Sequence, residues 1–389
     1  MKLKLPAPSD EELQRSQRCQ QIIVEEIHRH QRPMNFERYM QICLYASQIG
    51  YYESGSDIFG PQGDFTTSPE RSEFFAHAFA AHIKNIKAQI GDYSLIEVGA
   101  GSGKFAGDLI RALKHIACLP QRYYIVEKSS ELKRRQKTYL AEYQSMCEIE
   151  WIEALATPID CAIVIANEVL DALPVKLLSV ERNKIYERCV NVGEDGELEF
   201  VQVEAEEPLF SLMQTMLPES VLNGGDGTYH CEVNLILNDF IQEIAAFVNK
   251  GIFFYIDYGY ARHEYYHEQR TMGTLICHYR NSANQLALLW PGLQDISCNV
   301  DFTAVAEAGV ECGLNVEIYS TQGNFLLASH TLENILADNQ DPVKLQQQAE
   351  IKRLIMPAEM GERFQIILLS KNMALDCHSL TTRNMLHRL

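Results

Sequence analysis

From Tyr93 onward the chain alternates between two textures. Short apolar runs rich in β-branched and aromatic residues ("SLIEVGA", "RYYIVEK", "EIEWI", "CAIVIAN", "GIFFYIDYG") are separated at first by helical stretches such as "GKFAGDLIRALKHI" and "SELKRRQKTYLAEY". That alternation predicts an α/β fold, a Rossmann-like parallel sheet with helices on both faces. "LNVEIYS" and "RFQIILLS" add two strands, giving seven. Ahead of the sheet, "SDEE" from Ser9 to Glu12 reads as a capping box, and Leu13, Ile23 and Ile27 form a helical stripe that ends before Pro33. A second short helix, capped by Asn35, runs through "FERYMQICLYAS", and Ser68-Pro69 opens a helix toward Ile90. Between these lies a stretch, 50–72, rich in glycine and proline and too long for a simple connector; long ordered loops often carry function. Segment 175–232 interrupts the alternation with β-like text and a "GEDGE" turn, which suits an inserted hairpin or small subdomain. The expected organisation is a helical segment with a lid over 1–90, then a sheet domain over 91–389 with insertions near 175–232 and 259–300, after strands four and five.

Composition narrows the partners. Lys plus Arg total 34 against 52 Asp plus Glu, a net charge of −18, which argues against a nucleic-acid binder and favours a cationic substrate where it is not simply a solubility device. No stretch approaches the roughly 20 apolar residues that span a bilayer, so no membrane insertion is expected. Eleven cysteines without a Cys-x-x-Cys pair, and an N-terminus with acids and no apolar core, suit a reducing, cytoplasmic setting.

The candidate chemistry gathers at strand ends. In "LIEVGAGSGKFAGDL", Gly99, Gly101 and Gly103 permit a tight turn and a close ligand approach at a helix N-terminus. The spacing is neither the dinucleotide fingerprint nor a Walker loop. Glu97 before the loop and Glu127, which lies 24 residues after Gly103, suit a ligand with a cationic end and a ribose diol. A turn that merely needs glycine, with Glu127 as a surface cap, is the alternative. At the end of the fourth strand "NEVLDALP" places Asn167, Glu168 and Asp171 where open α/β sheets bind ligands. If a helix begins there, the two acids share a face and can hold a guanidinium for in-line transfer beside a sulfonium methyl donor; helix capping by Asn167 and Glu168 is the plainer reading. "HEYYH" at 263–267 matches a zinc signature but lacks helical periodicity, so no metal is expected; its tyrosines and histidines suit an acceptor pocket.

Several long motifs in fixed order ("FGPQGDFTTSPE", "EVGAGSGKFA", "NEVLDALP", "DYGY", "EYYHEQRTMGTLICHYR", "PGLQDISCNVDFTAVAE") resemble the MidA family of class I S-adenosylmethionine-dependent methyltransferases, across roughly Phe36 to Ser329. That family includes the mitochondrial complex I assembly methyltransferase. The resemblance implies a class I methyltransferase sheet, S-adenosylmethionine as cofactor, and a partner protein presenting an arginine as acceptor. It implies that Gly99, Gly101, Gly103 and Glu127 hold the cofactor, with Gly63, Asp64, Phe65, Thr66, Thr67 and Pro69 folding over it as a lid; Glu97, Ala100 and Asn167 are further cofactor-binding candidates. Glu168, Asp171 and Asp301 become the catalytic candidates, and Tyr258, Tyr265, Tyr266, His267 and His278 the acceptor-binding ones. The chain carries Asn299 where the family has His, and Glu268 where it has Pro. A non-catalytic assembly factor that uses the cofactor structurally is the alternative function, and a second copy of the chain is a candidate partner; Trp290 and the 259–300 insertion suit a pocket or an interface equally.

Overall fold

All seven expected strands are present: β1 (Ser94–Val98), β2 (Tyr123–Val126), β3 (Ile149–Ile152), β4 (Ile159–Asn167), β5 (Val248–Tyr260), β6 (Asn315–Thr321) and β7 (Phe364–Lys371). Along the sheet they run in the order β6-β7-β5-β4-β1-β2-β3, with the short pair Val300–Asp301 added against β5. The pairings β3-β2, β2-β1, β1-β4 and β4-β5 are parallel. β7 runs antiparallel to both of its neighbours, β5 and β6. The strand order reverses between β1 and β4, and at such a switch point the loops after neighbouring strands part and leave a crevice. The structure, a computed structural model, describes residues 5–55, 58, 67–153, 157–223, 227–332 and 342–389.

The chain divides into two compact units. The first comprises Met1–Phe65, Asp171–Leu237 and Tyr260–Asn299. Its helix α1 (Asp10–His30) starts at the predicted capping box: Ser9 Oγ accepts from the Glu12 amide, and the Glu12 carboxylate accepts from the Ser9 amide. Helix α2 (Phe36–Tyr45) is capped by Asn35, whose Oδ1 accepts from the Arg38 amide at 2.9 Å. The buried faces of both helices (Ile23, Ile27, Phe36, Tyr39) share one apolar cluster with Leu177 and Val190. The inserted segment proves larger than a hairpin. Strands 176–181, 184–192, 198–204 and 229–233 make a four-stranded antiparallel sheet, and the later insertion adds a three-stranded one from 276–279, 282–284 and 295–297.

The second unit holds the large sheet and comprises Thr66–Leu170, Asn238–Gly259 and Val300–Leu389. The helix expected to run unbroken from Ser68 to Ile90 is two helices, α3 (Ser68–Arg71) and α4 (Phe74–Ile90). Ser72 between them is extended (φ −159°, ψ 137°), and its hydroxyl accepts from the Phe74 amide at 3.2 Å. A serine offers its own side chain to backbone donors, which makes a helix break cheap at that residue. Beyond β1, α5 (Lys104–His115) and α6 (Ser130–Tyr139) are the crossovers to β2 and β3. Phe75, Phe79, Phe105, Phe254 and Phe325 cluster in the core of this unit, with ring centroids 5.0–5.8 Å apart in their contacting pairs.

Candidate active site

All five residues of β1 are buried, and the strand ends in the glycine loop. Gly99, Gly101 and Gly103 take φ of +67°, +53° and +86°, a left-handed region in which a side chain is strained. At Gly99 a second demand applies, because a Cβ there would lie 2.9 Å from Val169 Cγ2. The turn that follows β4 therefore lies directly against the glycine loop, and only a residue without a side chain fits between them. Ala100 is buried in the same loop.

Glu127, just past the end of β2, is buried and already part of a network. Its Oε1 accepts from the Ser129 amide and its Oε2 from Gln136 Nε2, both at 2.9 Å. Gln136, fully buried on α6, donates also to the Gly101 carbonyl at 2.9 Å, while its Oε1 accepts from the Trp151 indole at 3.0 Å. One amide thus fixes the acid and the glycine loop relative to each other. Sequence reasoning passed over Gln136 because α6 reads as a charged surface helix. Its spacing was the available signal, since it lies four residues after the buried Leu132 and on the same helical face. Glu97 accepts from the Tyr123 hydroxyl at 2.6 Å, and burial pushes its carboxyl up to about 7. The charge on Glu127 adds to that rise and the Tyr123 hydrogen bond opposes it.

β4 runs to Asn167 without a helix after it. The helix that would have put Glu168 and Asp171 on one face is therefore absent, and with it the helix-capping alternative. Instead Glu168 turns the chain through a left-handed conformation, φ +54°, and its amide donates to the Ile256 carbonyl on β5 at 2.8 Å. Its carboxylate Oε1 accepts from the Ser68 amide on α3 at 3.0 Å and from Asn167 Nδ2 at 3.2 Å. The buried Oδ1 of Asn167 has no hydrogen-bond partner among the described residues. α3 also reaches the glycine loop, through a short hydrogen bond from the Ser102 hydroxyl to the Glu70 carboxylate. Two further side chains hold α3: Ser68 Oγ donates to Gln322 Oε1 at 3.0 Å, and Arg71 pairs with Glu350 at 3.4 Å.

The remaining predicted residues are placed less uniformly. Thr67 and Pro69 begin α3, whereas Gly63, Asp64, Phe65 and Thr66 lie outside the described residues. Asp301 Oδ1 accepts from the amides of Thr303 and Ala304 and so caps helix Phe302–Glu311. The Tyr258 ring packs edge-on against Phe364 at 5.2 Å. Asp171 lies in the first unit, buried, with its carbonyl accepting from the Cys298 amide. Tyr265 and Tyr266 are buried there against each other, with ring centroids 4.8 Å apart, and Tyr266 donates to the Glu232 carbonyl. Both belong to the core of the four-stranded sheet, which explains why two tyrosines stand together after a strand. His267 is exposed and lines a cavity of about 560 Å³ with Tyr260, Glu264 and Arg270. His278 Nδ1 lies 3.7 Å from Asp295. The one-turn helix Arg262–Tyr265 ends before His267, and among the described residues no group of three His, Cys, Asp or Glu is placed to hold a metal.

A glycine cradle, a buried acid closing β2 and a buried amide oxygen in need of a donor fit a ligand that carries ribose hydroxyls and a cationic end. With the antiparallel seventh strand between β5 and β6, the second unit has the fold of a class I S-adenosylmethionine-dependent methyltransferase. Residues 74–320 match the family model described as S-adenosyl-L-methionine-dependent methyltransferase, and the chain belongs to this family, the MidA methyltransferases. A crystal structure from Burkholderia thailandensis, bound to S-adenosyl-homocysteine, superposes with a TM-score of 0.92 at 32% identity, covering 99% of this chain and 100% of that one. The mitochondrial protein arginine methyltransferase NDUFAF7 homolog of Caenorhabditis elegans is 26% identical over 366 residues, 86% of this chain and 82% of its own length. Human NDUFAF7, a mitochondrial protein arginine methyltransferase, is 23% identical over 375 residues, 87% of this chain and 80% of its own.

Proposed function

We propose that this methyltransferase acts on an arginine side chain of a partner protein. The observation that carries the reading is the Glu168 turn: a carboxylate held in a left-handed conformation, one residue from the valine that abuts the glycine loop. When bound, S-adenosylmethionine supplies a sulfonium methyl group open to displacement. Gly99, Ala100, Gly101 and Gly103 would take the ligand's amino-acid end along the loop backbone, with Glu97 beneath it as the acid for its cationic group. Glu127 would hold the ribose hydroxyls, and Thr67 and Pro69 at the start of α3 would cover the ligand. Glu168 would orient the acceptor nitrogen. A guanidinium is essentially never deprotonated in water, so placing it against a carboxylate matters more than a strong base. Carboxylate and guanidinium are matched in charge and in fork geometry. The reading is further supported by the names of the curated relatives and by a net charge of −18, which favours a cationic partner.

The test is to incubate the purified protein with methyl-labelled S-adenosylmethionine and an extract of cells lacking the gene, then to search hydrolysed protein for methylarginine. Labelled arginine that disappears with Glu168→Gln, while S-adenosylhomocysteine binding survives, is the expected result. Label in small molecules alone would sink the arginine reading. Full rescue of the knockout by Glu168→Gln would instead favour an assembly factor that needs no transfer.

A further inference from the structure

We propose that Asp257 is the positioning residue for Glu168, fixing the turn that aims its carboxylate. This rests on the reading of Glu168 as the acceptor-side acid. Asp257 stands on β5 with none of its surface exposed, in a run of Ile, Phe and Tyr where an acid is costly unless its oxygens find donors. They do find them. Oδ2 accepts from the Leu170 amide and Oδ1 from the Tyr258 amide, both at 2.9 Å. The neighbouring residue of the same strand, Ile256, takes the Glu168 amide at 2.8 Å. β5 therefore grips the turn twice, at the amide of residue 168 and at that of 170, on either side of the Val169 that abuts Gly99.

A glutamate at φ +54° persists only where its surroundings over-determine it. The Ile256 carbonyl is backbone and would be present whatever residue stood at 256. The grip on Leu170 depends on one side chain. A neutral amide at 257 could accept one of the two N–H groups but would turn its own donor toward the other. A carboxylate accepts both, which gives the acid at this buried position a purpose beyond filling space. Loss of the second grip lets the turn relax toward right-handed conformations and carries the Glu168 side chain away from its aim. The glycine loop, held separately by Gln136, stays as it is.

The experiment compares two cofactor analogues by calorimetry: S-adenosylhomocysteine, and sinefungin, which bears an ammonium group where the transferable methyl would be. A carboxylate aimed at that position favours sinefungin. Glu168→Gln should cut the sinefungin-to-homocysteine affinity ratio at least tenfold, leaving S-adenosylhomocysteine within about threefold of the parent. Asp257→Ala should cut the ratio nearly as far although Glu168 is intact, and Asp257→Asn by at least threefold. The asparagine variant keeps the shape of the buried site and carries the test if the alanine variant does not fold. A general loosening would weaken both analogues alike and leave the ratio unmoved, which would overturn the assignment. A ratio unmoved by Glu168→Gln as well would remove the acceptor role of Glu168 and this inference with it.

Discussion

At Gly99 two requirements coincide, a φ of +67° and an approach of 2.9 Å between Val169 Cγ2 and the place where a Cβ would stand. They can be separated by mutation. Left-handed strain costs an L-residue roughly 1–2 kcal/mol, and forced overlap with a stiff β-branched side chain adds about 1–3 kcal/mol. Gly99→Ala should therefore destabilise the protein by about 2–5 kcal/mol in a denaturant titration. Val169→Ala in the same chain should recover the overlap component and leave the strain. If the second change recovers nothing, the turn does not bear on the loop as described. The same residues show what was legible. Glycine, Glu127 and Asn167-Glu168 announce themselves because their types are unusual at strand ends. Gln136 and Asp257 carry as much of the network, yet neither is conspicuous. An amide on a charged helix and an acid beside a tyrosine acquire meaning only through partners far away in sequence.

The elements were legible to different depths. Buried strands appear as apolar runs whether their neighbours are parallel or antiparallel, so all seven could be located. The break at Ser72 could not, because serine tolerates a helix interior and the reason for stopping lies in what α3 binds. Three kinds of contact hold α3, and their strengths differ. The Arg71–Glu350 pair, at 3.4 Å with about a quarter of each side chain exposed, is worth less than about 1 kcal/mol. The Ser68 amide on the Glu168 carboxylate is charge-assisted and worth about 1.5–3 kcal/mol. Arg71→Ala should accordingly leave amide exchange across 68–71 nearly unchanged, whereas Glu168→Gln should speed it several-fold. Equal acceleration by both variants would mean that the ion pair holds this turn of helix as firmly as the carboxylate does. The paired tyrosines at 265 and 266 show the same limit: next to histidines they suggest a pocket, and the apolar cluster of the four-stranded sheet that they join is not legible in the sequence.

For the whole molecule, two buried groups set opposing pH dependences. Burial raises the Glu97 carboxyl to about 7 from its ordinary 4.5. Because the folded-state value is the higher one, its contribution is fully present below pH 4.5 and is lost as pH climbs through 7. His82, wholly buried on α4 with Nε2 against the Phe325 carbonyl, is lowered by burial from 6.5 to about 4. The unfolded chain takes up that proton sooner than the folded one, so stability is lost as pH falls from 6.5 toward 4. Between about pH 4.5 and 6.5 the two slopes run against each other, each up to about 1.4 kcal/mol per pH unit. Glu97→Gln should therefore make stability rise more steeply with pH in that window, and His82→Leu should make it rise less steeply or fall. Denaturant melts at several pH values would measure both differences, and parallel curves for all three proteins would contradict the burial of these groups.

The placement of β7 bears on how the protein is made. β6 lies at the margin of the sheet with β7 as its strand neighbour, and β5 receives the other side of that same strand. Residues 364–371 are synthesised after every other strand, yet they enter between two that have been waiting. Until then the side of β5 that β7 covers lacks its partner, and 315–321 lacks the strand it pairs with. Completing the sheet is thus an insertion between two strands made earlier and not an addition at its margin.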